Sequence, residues 1–133
     1  PHWVLEKLAA ALNERGKALK GSKVLVLGLA YKKDIDDPRE SPAFEILDLL
    51  IRKGAAVSYH DPHIPRAPRM RTWPALPPME SVALDEATLA SRDAVVIVTD
   101  HGAVDYAKVA RHAPLVVDTR GVYRKRFPGL VKA

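Results

Sequence analysis

Lys-Val-Leu-Val-Leu-Gly-Leu-Ala-Tyr-Lys-Lys-Asp-Ile-Asp-Asp-Pro-Arg-Glu-Ser-Pro, residues 23–42, decides how the chain is read. Val24 to Leu27 is a short apolar run of β-forming residues, the pattern of a strand buried on both faces. Gly28 ends the run. Ser41 is placed to cap a helix, and Pro42 suits its first position, where a missing N–H loses no partner. Open α/β sheets gather ligands at such strand–loop–helix junctions, outside the carboxyl ends of the strands. The loop carries Lys32, Lys33 and Arg39, so an anionic ligand is expected, with the positive end of the following helix beside it.

Upstream, the periodicity predicts a helix over 3–19, with Leu5, Leu8, Leu12 and Leu19 on one face and Gly16 weakening its last turn. It reads equally as a helix packed on the sheet and as the tail of a longer helix from a preceding domain. Downstream, a helix is predicted over 42–53, with Phe44, Leu47 and Ile51 as its buried stripe and Gly54 as its stop. A strand over 56–60 follows and closes a right-handed crossover. Residues 62–78 hold Pro62, Pro65, Pro68, Pro74, Pro77 and Pro78 among Arg66, Arg69 and Arg71, so an exposed, mobile loop is expected. Beyond it the pattern gives a short strand over 80–84, a helix over 86–91 capped by Asp85, a strand over 94–99, a helix over 104–112 and a strand over 115–118. The fold class is α/β: a Rossmann-like open parallel sheet with helices on both faces, preceded by an N-terminal helix.

Composition narrows the function classes. The 133 residues suit one ordinary domain, and 47% hydrophobic content supplies a core. A net charge of +5 suits an anionic small ligand. Aromatic content of 6% and no basic block argue against a base-stacking surface, so no specific nucleic-acid partner is expected. The chain has no cysteine, which removes disulfides, thiolate metal sites and a cysteine nucleophile from it and fits a reducing cytoplasm. No stretch reaches the ~20 apolar residues of a membrane span. The start, Pro1-His2-Trp3, carries no signal peptide and no initiator Met, so a processed chain or an excised fragment is expected.

Several residue sets are candidate sites. A dinucleotide fingerprint needs GxGxxG, but after Gly28 the chain has Ala30 and Lys33. Asp61 lies 33 residues beyond Gly28, against the roughly 20 expected of a ribose-binding acid; Asp61-Pro62 reads as a turn. No cofactor is therefore expected on this chain. Lys32 and Arg120 each follow the carboxyl end of a predicted strand, a point charge and a planar fork for a phosphate. Spacing alone also fits two solvated cations. Tyr31 reads as a base- or sugar-contacting ring or as a half-buried loop aromatic. Asp34, Asp36, Asp37 and Glu40 are expected to form salt bridges with Arg39 and the lysines, in preference to a metal site. His60 and His63 have metal-like spacing but no third ligand nearby. Asp100-His101 offers a carboxylate-oriented imidazole only weakly, because adjacent residues rarely make that contact.

The stretch 28–42 closely resembles the opening of the C-terminal domain of the UDP-glucose/GDP-mannose dehydrogenase family. Tyr59-His60-Asp61-Pro62, Val98-Thr99-Asp100-His101 and Val117-Asp118-Thr119-Arg120 agree in order. Ala11-Leu12-Asn13 with Gly16-Lys17 resembles the end of that family's long central helix. Thr99-Asp100-His101 is most similar to the branch acting on UDP-N-acetylglucosamine or UDP-N-acetylmannosamine. The resemblance implies that residues 1–20 end the central dimerisation helix and residues 21–133 form a UDP-sugar-binding domain. It implies that Tyr31, Lys32 and Arg120 contact the UDP-sugar. NAD and the catalytic cysteine would belong to a missing N-terminal part, the whole enzyme would be a homo-oligomer, and this chain alone would be inactive. The rival from another class is a stand-alone nucleotide-binding or interaction module.

Overall fold

The structure, a computed structural model, describes residues 1–133. Its elements are α1 (His2–Glu14), β1 (Lys23–Leu27), α2 (Pro42–Arg52), β2 (Ala56–His60), α3 (Glu86–Ser91), β3 (Ala94–Ile97), α4 (Tyr106–His112), β4 (Val116–Asp118) and β5 (Leu130–Lys132). The five strands form one sheet in the order β2-β1-β3-β4-β5, and every pairing is parallel. All strands therefore end at one edge, and the loops leaving that edge are where a ligand would gather.

Alternation along the strands explains the two helical layers. Val24 and Val26 face a core built from α1 and α2, with Leu8, Leu12, Phe44 and Leu47. Leu25 and Leu27 face the other side, with Leu89 of α3 and Val109 of α4. β1 and β3 are thus sealed on both faces, which is why they read as unbroken apolar runs. Ser41 accepts from the Ala43 N–H and caps α2, with Pro42 at the first turn.

Several boundaries differ from the sequence expectations. The first helix stops at Glu14, not at residue 19. Gly16 turns the chain at φ +73°, and Leu19 returns against the core. The leucine face of α1 is covered, since Leu5, Leu8 and Leu12 are buried. β3 ends at Ile97, because Val98 and Thr99 peel toward the β1 loop: both backbone N–H groups donate to Leu27 O. Asp105 caps α4, accepting from the Lys108 N–H, and delays its start to Tyr106. The last predicted strand begins one residue later, at Val116. β5 was not foreseen.

No strand forms over 80–84. Two isolated bridges stand there instead, Tyr59 with Ser81 and Arg66 with Glu80. The proline-rich arm before them is not simply an exposed loop. Ile64 is buried, and Met70, Trp73, Leu76 and Met79 pack on the core. Prolines prevent regular structure in the arm without preventing its apolar side chains from docking.

Candidate functional site

The segments that follow β1, β2, β3 and β4 build the carboxyl edge. After β1, Gly28 adopts φ +96° with Thr99 pressed against it; a Cβ there would stand 2.5 Å from the Thr99 Cβ. Thr99 Oγ1 donates to Ala30 O at 2.7 Å. The turn that would cradle a pyrophosphate in a dinucleotide fold is filled by the chain's own threonine. The close approach of Thr99 is what requires glycine at position 28.

Asp61, at the end of β2, is more than a turn residue. It is 2% exposed. Oδ2 accepts from the Leu29 N–H at 2.7 Å and the Ala30 N–H at 3.1 Å, and Oδ1 accepts from the His63 N–H at 2.8 Å. His101 Nε2 lies 2.8 Å from Oδ2, with both side chains fully buried. Burial disfavours the charged carboxylate, but the Leu29 and His63 N–H groups and His101 outweigh it and hold the pKa below the ordinary value. On its other side, His101 Nδ1 accepts from the Asp34 N–H at 2.8 Å. That acceptor role leaves the ring proton on Nε2, where it is donated to Asp61. The imidazole's carboxylate partner is therefore Asp61, 40 positions away, and not the neighbouring Asp100.

The acidic loop is only partly a salt-bridge network. Asp37 pairs with Arg39 at 2.9 Å, and that pairing lowers the Asp37 pKa to about 2. Asp34 instead accepts from the Gly102 N–H and sits at φ +61°, a left-handed position that asparagine and aspartate tolerate best. Lys32 and Lys33 make no ion pair within the loop. His60 and His63 do not converge: His60 Nδ1 donates to Val82 O, whereas His63 lies edge-on to His101 with centroids 4.7 Å apart. One donor atom each from Asp34, His63 and His101 lie within 4.8 Å of one another. Both nitrogens of His101 are already engaged, so the trio is not a ready metal site.

The three residues singled out from sequence all leave the carboxyl edge. Tyr31 is 41% exposed, and the Lys32 ammonium lies 5.6 Å from its ring centroid. Arg120 follows β4, with β3 between it and the β1 loop. Its Nε donates to Val98 O at 2.8 Å, and its backbone N–H donates to Asp118 at 2.9 Å. Arg120 lines a cavity of about 140 Å³ with Pro42 and Ile46 at the start of α2, together with Pro1, Val4, Val98 and Thr119. Lys32 does not line that cavity. Sequence reasoning missed the Asp61–His101 pair; its signals were that each residue follows a predicted strand end and falls in a stretch that resembles the family. A cavity of about 620 Å³ lies elsewhere, between α1 and the far end of α2.

The profile of the UDP-glucose/GDP-mannose dehydrogenase family, UDP binding domain, matches residues 25–125. A UDP-N-acetyl-D-mannosamine dehydrogenase of Salmonella typhimurium is 33% identical over 93% of this chain, which covers 30% of that protein. A UDP-glucose 6-dehydrogenase of Rhizobium meliloti is 34% identical over 83% of the chain, covering 25% of the relative. The solved NDP-N-acetyl-D-galactosaminuronic acid dehydrogenase of Methanosarcina mazei superimposes on all of this chain and 28% of its own, with TM-score 0.77 and 29% identity. The chain spans about 30% of the length of the first of these relatives. With the match running from within β1 past Arg120, the chain belongs to the UDP-glucose/GDP-mannose dehydrogenase family, in the part described as its UDP binding domain.

Proposed function

We propose that this chain is the UDP-sugar-binding domain of an NAD-dependent UDP-sugar 6-dehydrogenase, with residues 1–20 ending the central helix and residues 21–133 forming the domain. The carrying observation is the carboxyl edge itself: Lys32, Arg120 and the start of α2 supply positive groups there, within the residues the family profile matches. Lys32 and Arg120 neutralise the pyrophosphate, and Tyr31 lies against the base or sugar. The role is positioning: anchoring the diphosphate fixes C6 relative to the reacting groups. The complete enzyme oxidises the C6 alcohol to a carboxylate in two hydride transfers to two NAD. Both NAD and the thiolate that holds the aldehyde-level intermediate come from outside this cysteine-free chain, and the complete enzyme is a homo-oligomer. The substrate reading is a UDP-N-acetylhexosamine, supported by Thr99-Asp100-His101 and by the mannosamine-specific name of the Salmonella relative.

Calorimetric titration of the 133-residue protein with UDP, UDP-N-acetylglucosamine and NAD tests the reading. Binding of both uridine ligands and no binding of NAD is expected. NAD binding, or no uridine binding, overturns it. With NAD and UDP-sugar together, no NADH absorbance should appear.

A further inference from the structure

Tyr31, Lys32 and Lys33 form a short exposed finger, and its two ends are held by the same buried pair. On the near side, the Leu29 and Ala30 N–H groups donate to Asp61 Oδ2. On the far side, the Asp34 N–H donates to His101 Nδ1. Asp61 and His101 are joined to each other by the Nε2 hydrogen bond. No other side chain hydrogen-bonds the backbone N–H groups of residues 29–34.

This arrangement works in one protonation state only. The neutral Nε2–H tautomer donates to Asp61 and accepts from Asp34 at once. A proton on Nδ1 turns that acceptor into a donor facing the Asp34 N–H, and the far anchor is lost. A replacement partner is at hand, since a carboxylate oxygen of Asp34 lies within 4.8 Å of a ring nitrogen of His101. The Tyr31 N–H bond to Asp37 O and the Gly102 N–H bond to Asp34 Oδ1 do not involve the imidazole, so the loss loosens the finger at the Asp34 backbone. The titratable groups around the ring come from every side. Asp61 stands at the end of β2, His63 is edge-on at 4.7 Å, Asp34 sits on the loop, Asp100 is adjacent, and the Tyr106 hydroxyl bonds the His101 carbonyl.

We propose that His101, held by Asp61, is a positioning residue that clamps the 31–33 finger in its anion-gripping place and releases it on protonation. The proposal rests on the finger being the UDP-sugar contact.

UDP-N-acetylglucosamine is the probe, because its pyrophosphate diester does not titrate in the window used. Calorimetry from about pH 7.5 down to about pH 5.5 should show affinity falling about tenfold or more. His101→Gln keeps a donor for Asp61 but takes up no proton. It should bind more weakly at about pH 7.5 and hold that affinity through the window, while His63→Gln keeps the wild-type fall. Nitrogen NMR of the wild type should show His101 protonated at Nε2 alone at about pH 7.5, with the Asp34 amide shifting as Nδ1 gains its proton. A flat wild-type affinity, a fall retained in His101→Gln, or a proton on Nδ1 at neutral pH overturns the clamp. Absence of binding at every pH overturns the functional reading instead, and the coupled NMR shifts of His101 and Asp34 then decide the clamp alone.

Discussion

Asp61 and His101 meet across the end of the strand that separates them: β1 lies between β2 and β3, and the carboxylate and imidazole close over it at 2.8 Å. The two residues join three strand ends and the start of the β1 loop into one unit.

Asp61→Asn puts an amide, half donor, where the carboxylate accepts four hydrogen bonds. Removing one partner of a buried pair leaves the other uncompensated, so urea denaturation should show a loss of about 3 kcal/mol. A loss below about 0.5 kcal/mol would mean that the pair does not hold the edge together.

Acid should destabilise the protein in a defined direction. The Asp61 carboxyl is lowered because the Leu29 and His63 N–H groups and His101 overcome burial; the Asp93 carboxyl is lowered by Lys17 and by the Lys23 N–H. Depressed carboxyls contribute stability that is full above their unfolded value of about 3.9 and is lost as pH falls through the folded value. Urea midpoints should therefore drop below about pH 4, and the slope should be shallower in Asp61→Asn. An identical slope in the variant would exclude Asp61 as a source.

Gly28→Ala meets two obstacles, φ +96° and a Cβ placed 2.5 Å from the Thr99 Cβ. A loss of about 3 kcal/mol or failure to fold is expected. Adding Thr99→Ala should not restore stability, because Thr99 O and N would still stand 2.6 and 2.7 Å from the new carbon. Full rescue by the double variant would place the conflict in the side chain alone.

Lys32→Ala should weaken UDP binding about tenfold, roughly 1.4 kcal/mol, and change stability by less than about 0.5 kcal/mol, because the side chain is exposed. Arg120→Lys keeps the charge but loses the fork and the Nε bond to Val98 O, so it too should lower affinity. Unchanged calorimetric affinity in either variant removes that residue from the site.

Much of the fold was legible because local chemistry and tertiary role coincide. Val24–Leu27 and Val95–Ile97 are apolar runs because both sheet faces are covered, and Ser41-Pro42 and Gly54 mark the ends of α2 by cap and turn chemistry. β5 was invisible because Leu130–Lys132 is three residues long and becomes a strand only by pairing with β4. Val98 and Thr99 continue an apolar run yet leave the strand to meet Gly28, a contact between residues about 70 positions apart that no local window contains. Tyr31, Lys32 and Arg120 stood out as candidates because cations and an aromatic stand next to strand ends. Asp61 with His101 was missed because the strand order alone brings them together.

The docked proline-rich arm has a practical consequence. The chain has two tryptophans: Trp3 is 58% exposed on α1, and Trp73 is half-buried where the arm packs on the core. Intrinsic fluorescence thus reports chiefly whether the arm is seated, while far-ultraviolet circular dichroism reports helices and sheet. Followed side by side during denaturation, the two signals separate only when the arm lifts before the sheet comes apart.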